Sequence, residues 1–120
     1  MKPLDLDSVI TEIKNFSEER DWDQFHSVKN LSMALSVESS ELLEIFQWLT
    51  EEQSNNAKND PEIKQKASEE VADIFIYLLR VATKLGIDID DAVRLKLIKN
   101  AEKYPVALSK GNSKKYNDLK

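Results

Sequence analysis

Apolar residues recur along the chain at helical spacing in four stretches. The first predicts a helix over about 7–20. Leu6, Ile10, Ile13, Phe16 and Ser17 follow three-to-four spacing, and Asp5 or Asp7 can cap the start. The segment Asp21-Trp22-Asp23-Gln24-Phe25-His26 breaks that period and alternates polar with aromatic residues, which predicts a loop. A second helix is expected from about Ser27 to Glu51, striped by Val28, Leu31, Leu35, Leu42, Ile45 and Leu49, followed by a polar loop over 53–59. Asp60-Pro61 then signals a start, with Asp as N-cap and Pro in the first helical position. The third helix runs from Pro61 to Leu85, where Gly86 suits a left-handed C-terminal residue. The fourth starts near Asp88 or Asp90 and ends before Tyr104-Pro105.

The second half of the third helix, Val71 to Leu85, is apolar on most of its circumference. Such a helix must be covered on several sides, and one chain of 120 residues offers few partners. An oligomer is therefore expected. There is no internal repeat or low-complexity tract. The expected fold class is all-α, a four-helix bundle completed by oligomerisation, with a domain over 1–105 and a basic tail over 106–120.

Composition agrees with long helices and short connections: the chain holds only two Gly and three Pro. With no Cys, disulfides and thiolate metal sites are excluded. The start meets acidic residues at once, and the longest apolar run, Ile74 to Leu79, is too short for a bilayer. A cytoplasmic protein without a membrane partner is expected. The net charge of -5 is uneven, since residues 103–120 carry five Lys against one Asp. A body that acidic argues against a groove for polymeric nucleic acid. The basic tail is either a solvated terminus or an arm reaching over phosphates.

The acids are the informative feature. The stripe of the second helix has one gap, at position 38, and Glu occupies it. A carboxylate there is costly to bury unless something positive meets it. Glu41 lies one turn on, at i, i+3 spacing. Glu70 and Asp73 repeat that spacing on the third helix, bordering a stripe of Ala67, Val71, Ile74, Leu78 and Val81, with Tyr77 continuing the edge. If the two helices pack antiparallel, four carboxylates meet. Four clustered anions need compensation, and hard divalent cations supply it. Oxygen ligands alone suit magnesium, or manganese, and magnesium shares its shell with substrate phosphates. The alternative is that these acids are boundary residues paired with Lys or Arg. A di-iron carboxylate bundle needs Glu-x-x-His on two helices, and the lone His26 lies outside any such motif.

Glu38-Ser39-Ser40-Glu41 followed at a distance by Glu70-Val71-Ala72-Asp73 resembles the ExxE…ExxD metal motif of the MazG-like nucleotide pyrophosphohydrolases. Other strings resemble the dCTP pyrophosphatase branch: Arg20 to His26, Glu44-Ile45-Phe46-Gln47-Trp48, Asp73 to Leu78, Lys96…Asn100…Lys103-Tyr104-Pro105, and Ser113-Lys114-Lys115-Tyr116. The resemblance spans about residues 6 to 118. Many MazG proteins carry a further Glu before the first pair; here that position is Val37, and the dCTP branch also tends to lack that Glu.

The resemblance implies a MazG-like all-α fold, a homotetramer, and magnesium-dependent hydrolysis of dCTP or a modified dCTP to the monophosphate and pyrophosphate, a housecleaning role. It implies Glu38, Glu41, Glu70 and Asp73 as catalytic metal ligands, or one of them, such as Glu41, as instead holding the attacking water. Trp22, His26 and Trp48 would form the base pocket. Trp48 falls seven residues after Glu41 on the expected helix and could instead anchor a core. Tyr77 and Asn100 would meet the sugar or base edge, and Lys96, on the face of Asn100, a phosphate; a solvated surface charge is the alternative for Lys96. Lys114 and Lys115 are further phosphate candidates. Two other functions stand beside this one: a broader NTP or dUTP pyrophosphohydrolase, and a non-catalytic helical oligomerisation module.

Overall fold

The computed structural model describes residues 2–111 and 113. These residues form helices joined by short turns, with no strand among them. The chain divides into two compact units, 1–86 and 87–120.

The first unit contains α1 (Leu6–Glu19), α2 (Val28–Phe46), α3 (Glu51–Asn56) and α4 (Pro61–Lys84). Each starts on a side-chain cap. Asp5 accepts from the Ser8 N–H, Ser27 from Asn30, Thr50 from Gln53, and Asp60 from both Glu62 and Ile63. Pro61 occupies the first turn of α4, where its missing N–H costs nothing, and Gly86 takes φ +67° just beyond the helix.

Two connections differ from the expected loops. Residues 53–59 were expected as a polar loop, and Thr50 as helix interior. Instead α2 stops at Phe46, and Thr50 opens α3 with a full capping box, its hydroxyl taking the Gln53 N–H while the Gln53 side chain takes the Thr50 N–H. A 3₁₀ turn over Ala57–Asn59 carries the chain on to α4. Trp48 therefore lies on a turn and not on α2. The segment 21–26 also holds a 3₁₀ turn, Asp23–Phe25.

α2 and α4 form the principal helix pair, with α1 laid against α4. They run antiparallel: Ile45 and Phe46 share hollows with Ile63, near the start of α4, whereas Glu38 meets Glu70, further along. Leu31 on α2 and Leu79 on α4 are each 1% exposed, and Ala57 and Ala82 are buried with them. Every member of the expected 28–49 stripe, Glu38 included, is buried or half-buried. On α4 the expected stripe is corrected. Val71 and Leu78 are 56% and 44% exposed, while Ile63, Ala67, Glu70, Ile74, Tyr77 and Val81 are half-buried. That second series also steps by three and four, so a small rotation of the helix puts Glu70 inside the covered stripe and not at its border.

The second unit contains α5 (Ile89–Lys103), capped by Asp88, and the short α6 (Val106–Ser109) after Pro105. No helix of the described residues is long and apolar enough to cross a membrane.

Candidate metal centre and adjoining pocket

The antiparallel register brings Glu38 and Glu41 from α2 to Glu70 from α4. One carboxylate oxygen from each lies within 4.8 Å of the other two. Oε2 of Glu38 and Oε2 of Glu70 are shut away from solvent with no hydrogen-bond partner. Unpaired buried carboxylate oxygens are expensive, and no Lys or Arg is paired with them among the described residues. Burial first, then the neighbouring Glu41 and Glu70, push the Glu38 carboxyl up to about 7. Glu70 is also raised: its contact with Glu38 pulls it down, but burial and the charges of Glu41 and Asp73 outweigh that pull. Orphaned, mutually repelling oxygens are what a hard divalent cation satisfies, so this donor set fits one. Asp73 lies outside the tight trio, yet its charge acts on both Glu38 and Glu70.

Asp73 also faces the other way, into a cavity of about 420 Å³ between α1, the 21–26 turn and α4. Ile13, Phe16, Trp22, His26, Ile76 and Tyr77 supply most of its wall. The volume falls within the range of small-molecule sites. Asp21 forms the turn that delivers Trp22 to this wall. With φ +54°, it ends α1 in a left-handed turn, so that the Trp22 N–H reaches the Ser17 carbonyl and the Asp21 N–H that of Glu18. The chain is thereby folded back, and the Trp22 ring meets Phe16 edge-on at 5.7 Å and His26 at 6.3 Å.

Of the residues singled out from sequence, Trp22, His26, Tyr77 and Asp73 share this cavity, and Glu38, Glu41 and Glu70 form the acidic trio. Trp48 is in neither; it stands 87% exposed on its turn. Lys96 and Asn100 share one face of α5 in the second unit, Lys96 exposed and Asn100 half-buried. Lys114 and Lys115 lie outside the described residues. Sequence reasoning missed Ile13 and Phe16 as cavity walls, and it missed Arg80. The last had a visible signal, a lone cation inside the apolar run 74–82.

A helical hairpin that converges carboxylates beside an aromatic cavity defines a class of proteins suited to a metal and an anionic ligand. A family model described as the MazG-like family matches residues 33–119, and the chain belongs to that family. It is 42% identical over 104 residues to the dCTP pyrophosphatase 1 of Bos taurus, covering 87% of this chain and 62% of that protein. The Homo sapiens dCTP pyrophosphatase 1 is 38% identical, covering 87% and 61%. The chain thus spans about three fifths of the length of these relatives. The crystal structure of a pyrophosphatase from Archaeoglobus fulgidus matches with a TM-score of 0.79 at 33% identity, over 88% of this chain and 96% of that one.

Proposed function

We propose that this chain is a divalent-metal-dependent nucleotide pyrophosphohydrolase that converts dCTP, or a dCTP modified on the base, to the monophosphate and pyrophosphate. The carrying observation is the meeting of Glu38, Glu41 and Glu70 next to an aromatic cavity, with Asp73 turned toward both. The relatives named dCTP pyrophosphatase, and the pyrophosphatase of similar fold, support the same reading.

Glu38, Glu70 and Asp73 would hold the metal, with Glu41 beside it, and we take the ion to be magnesium or manganese because every donor is a carboxylate oxygen. Bound there, the ion supplies charge neutralisation to phosphate oxygens. Without that charge, a triphosphate would be repelled by these acids. Trp22, His26 and Tyr77 would seat the base, leaving the phosphates directed toward Asp73 and the trio. Glu41 has no shut-in, unpartnered oxygen, so we assign it the attacking water. Its carboxylate takes the water's proton as the water oxygen bonds the α-phosphorus. The bond from that phosphorus to the β-phosphate bridging oxygen breaks, and pyrophosphate leaves. Lys96 and Asn100, on one face of α5, are assigned to a phosphate and to the sugar or base edge.

The exposed apolar residues on α2 and α4, such as Met33, Leu43, Val71 and Leu78, support a homo-oligomer, for which we propose a tetramer. Trp48, 87% exposed on its turn, is then placed to complete a neighbour's base pocket. We place the protein in the cytoplasm, acting on free nucleotides. Incubation with each common triphosphate, with and without magnesium, tests the reading. dCMP and pyrophosphate are expected, lost on chelation; a nucleoside diphosphate with orthophosphate, or no product, overturns it.

A further inference from the structure

The wall of the cavity contains a buried cation that the chemistry above does not use. Arg80 on α4 is 7% exposed. Its Nη2 donates to Asp23 Oδ1 at 2.5 Å, and Lys84 Nζ lies 3.4 Å from the same oxygen. The same Nη2 is 3.5 Å from His26 Nδ1, and Nε has no partner. A buried guanidinium is costly unless its charge is met. Here the opposing charge comes from a half-exposed Asp on the 21–26 turn, not from the interior. The ion pair therefore ties that turn to α4, and Asp23 sits between the two cavity residues Trp22 and His26.

The His26 contact has a further consequence. A guanidinium can only donate, so the Nδ1 facing it must be the ring's lone-pair nitrogen. The proton of the neutral ring then belongs to Nε2. Burial, then the charge of Arg80 and the weaker influence of Lys84, hold the imidazole below its ordinary value against the opposing pull of Asp23, so the neutral form prevails near pH 7. A cytosine ring offers two neighbouring acceptors, O2 and N3, where uracil and thymine place an N3–H donor. A fixed N–H donor on the wall favours the former.

We propose that Arg80 is a positioning residue of the base pocket: it pins the Trp22–His26 turn through Asp23 and fixes His26 as an Nε2–H donor toward the acceptor edge of the base. The second half of this inference rests on the nucleotide reading; the first half does not. Because His26 is the chain's single histidine, imidazole ¹⁵N NMR reports on it without ambiguity. The wild type is expected to show a neutral ring protonated on Nε2. Arg80→Met should give mixed tautomers and a higher titration midpoint, with a rise in KM for dCTP of about tenfold and a much smaller change in kcat, the ratio one lost hydrogen bond produces. Arg80→Lys, which keeps the charge, should recover part of the KM. Asp23→Asn, at a half-exposed position, covers the case in which Arg80→Met does not fold, and should raise KM through release of the turn. An unchanged tautomer in folded Arg80→Met, or an unchanged KM in Asp23→Asn, overturns the proposal. If the tautomer shifts as expected but wild type releases no pyrophosphate from dCTP, the nucleotide reading fails while the Arg80–His26 coupling stands.

Discussion

Glu38 was conspicuous in the sequence because a period of 3.6 makes a single polar residue in an apolar stripe easy to see. Its environment makes it informative. In the unfolded chain its carboxyl titrates near 4.5, and in the folded chain at about 7, chiefly through burial and then through Glu41 and Glu70. Between those values the folded state holds more of the proton, so this group's contribution to stability falls as pH rises from about 4.5 to 7. Glu70 acts in the same direction. Metal-free wild type should accordingly melt at lower temperature at pH 8 than at pH 5.5, and Glu38→Gln should flatten part of that slope. Magnesium competes with the proton, so its stabilising effect should be larger at pH 8. The same substitution should lower kcat/KM by more than about 100-fold with far-UV circular dichroism unchanged. Equal pH slopes in variant and wild type would remove Glu38 as their source. Asp73 was less legible. Helical spacing states which face a residue occupies, not how far its side chain reaches, and Asp73 stays outside the 4.8 Å trio.

Among the elements, the starts of α1, α2, α4 and α5 were readable from Asp, Ser and Asp-Pro, since a cap is a local device with a local signature. α3 was not, although Thr50-Glu51-Glu52-Gln53 carries its signal. The polar composition of 51–59 suggested a loop, and the apolar stripe through Leu49 suggested that α2 continued. The left-handed turn at Asp21 was hidden for a different reason: the position usually signalled by Gly carries Asp, held by Gln24 bonding both its side chain and its carbonyl. Both hidden features aim tryptophans, Trp48 by ending α2 early and Trp22 by folding it back on Phe16. Thr50→Ala removes one half of the capping box and should cost about 1 kcal/mol, seen as a lower denaturant midpoint at unchanged slope. An unchanged midpoint would mean that α3 is held by its neighbours and not by its cap.

For the whole molecule, the balance of covered and uncovered apolar surface is the decisive quantity. Among the described residues the buried apolar ones are Leu31, Ala57, Leu79 and Ala82, of which only the two leucines are large. Meanwhile Val71 and Leu78, seven residues apart on one face of α4, stay exposed, as do Met33, Val37 and Leu43 on α2. The sequence already pointed this way through the nearly all-round apolar Val71–Leu85, but it could not say which face remained open, because that depends on which side of α4 meets α2. A core so small is marginal for an isolated chain, and association that binds only the folded form adds to its stability. Light scattering should therefore give a mass several times 13.8 kDa, with four subunits as the proposed number. Leu78→Asp places a charge in the open apolar strip, away from the acidic trio and the cavity lining. It should lower the mass toward one protomer and make the melting temperature of the remaining oligomer depend more steeply on concentration. If turnover falls in step with dissociation, a neighbouring copy completes the site, as the exposed Trp48 suggests. A wild-type chain that runs at 13.8 kDa with full activity would show instead that one copy suffices.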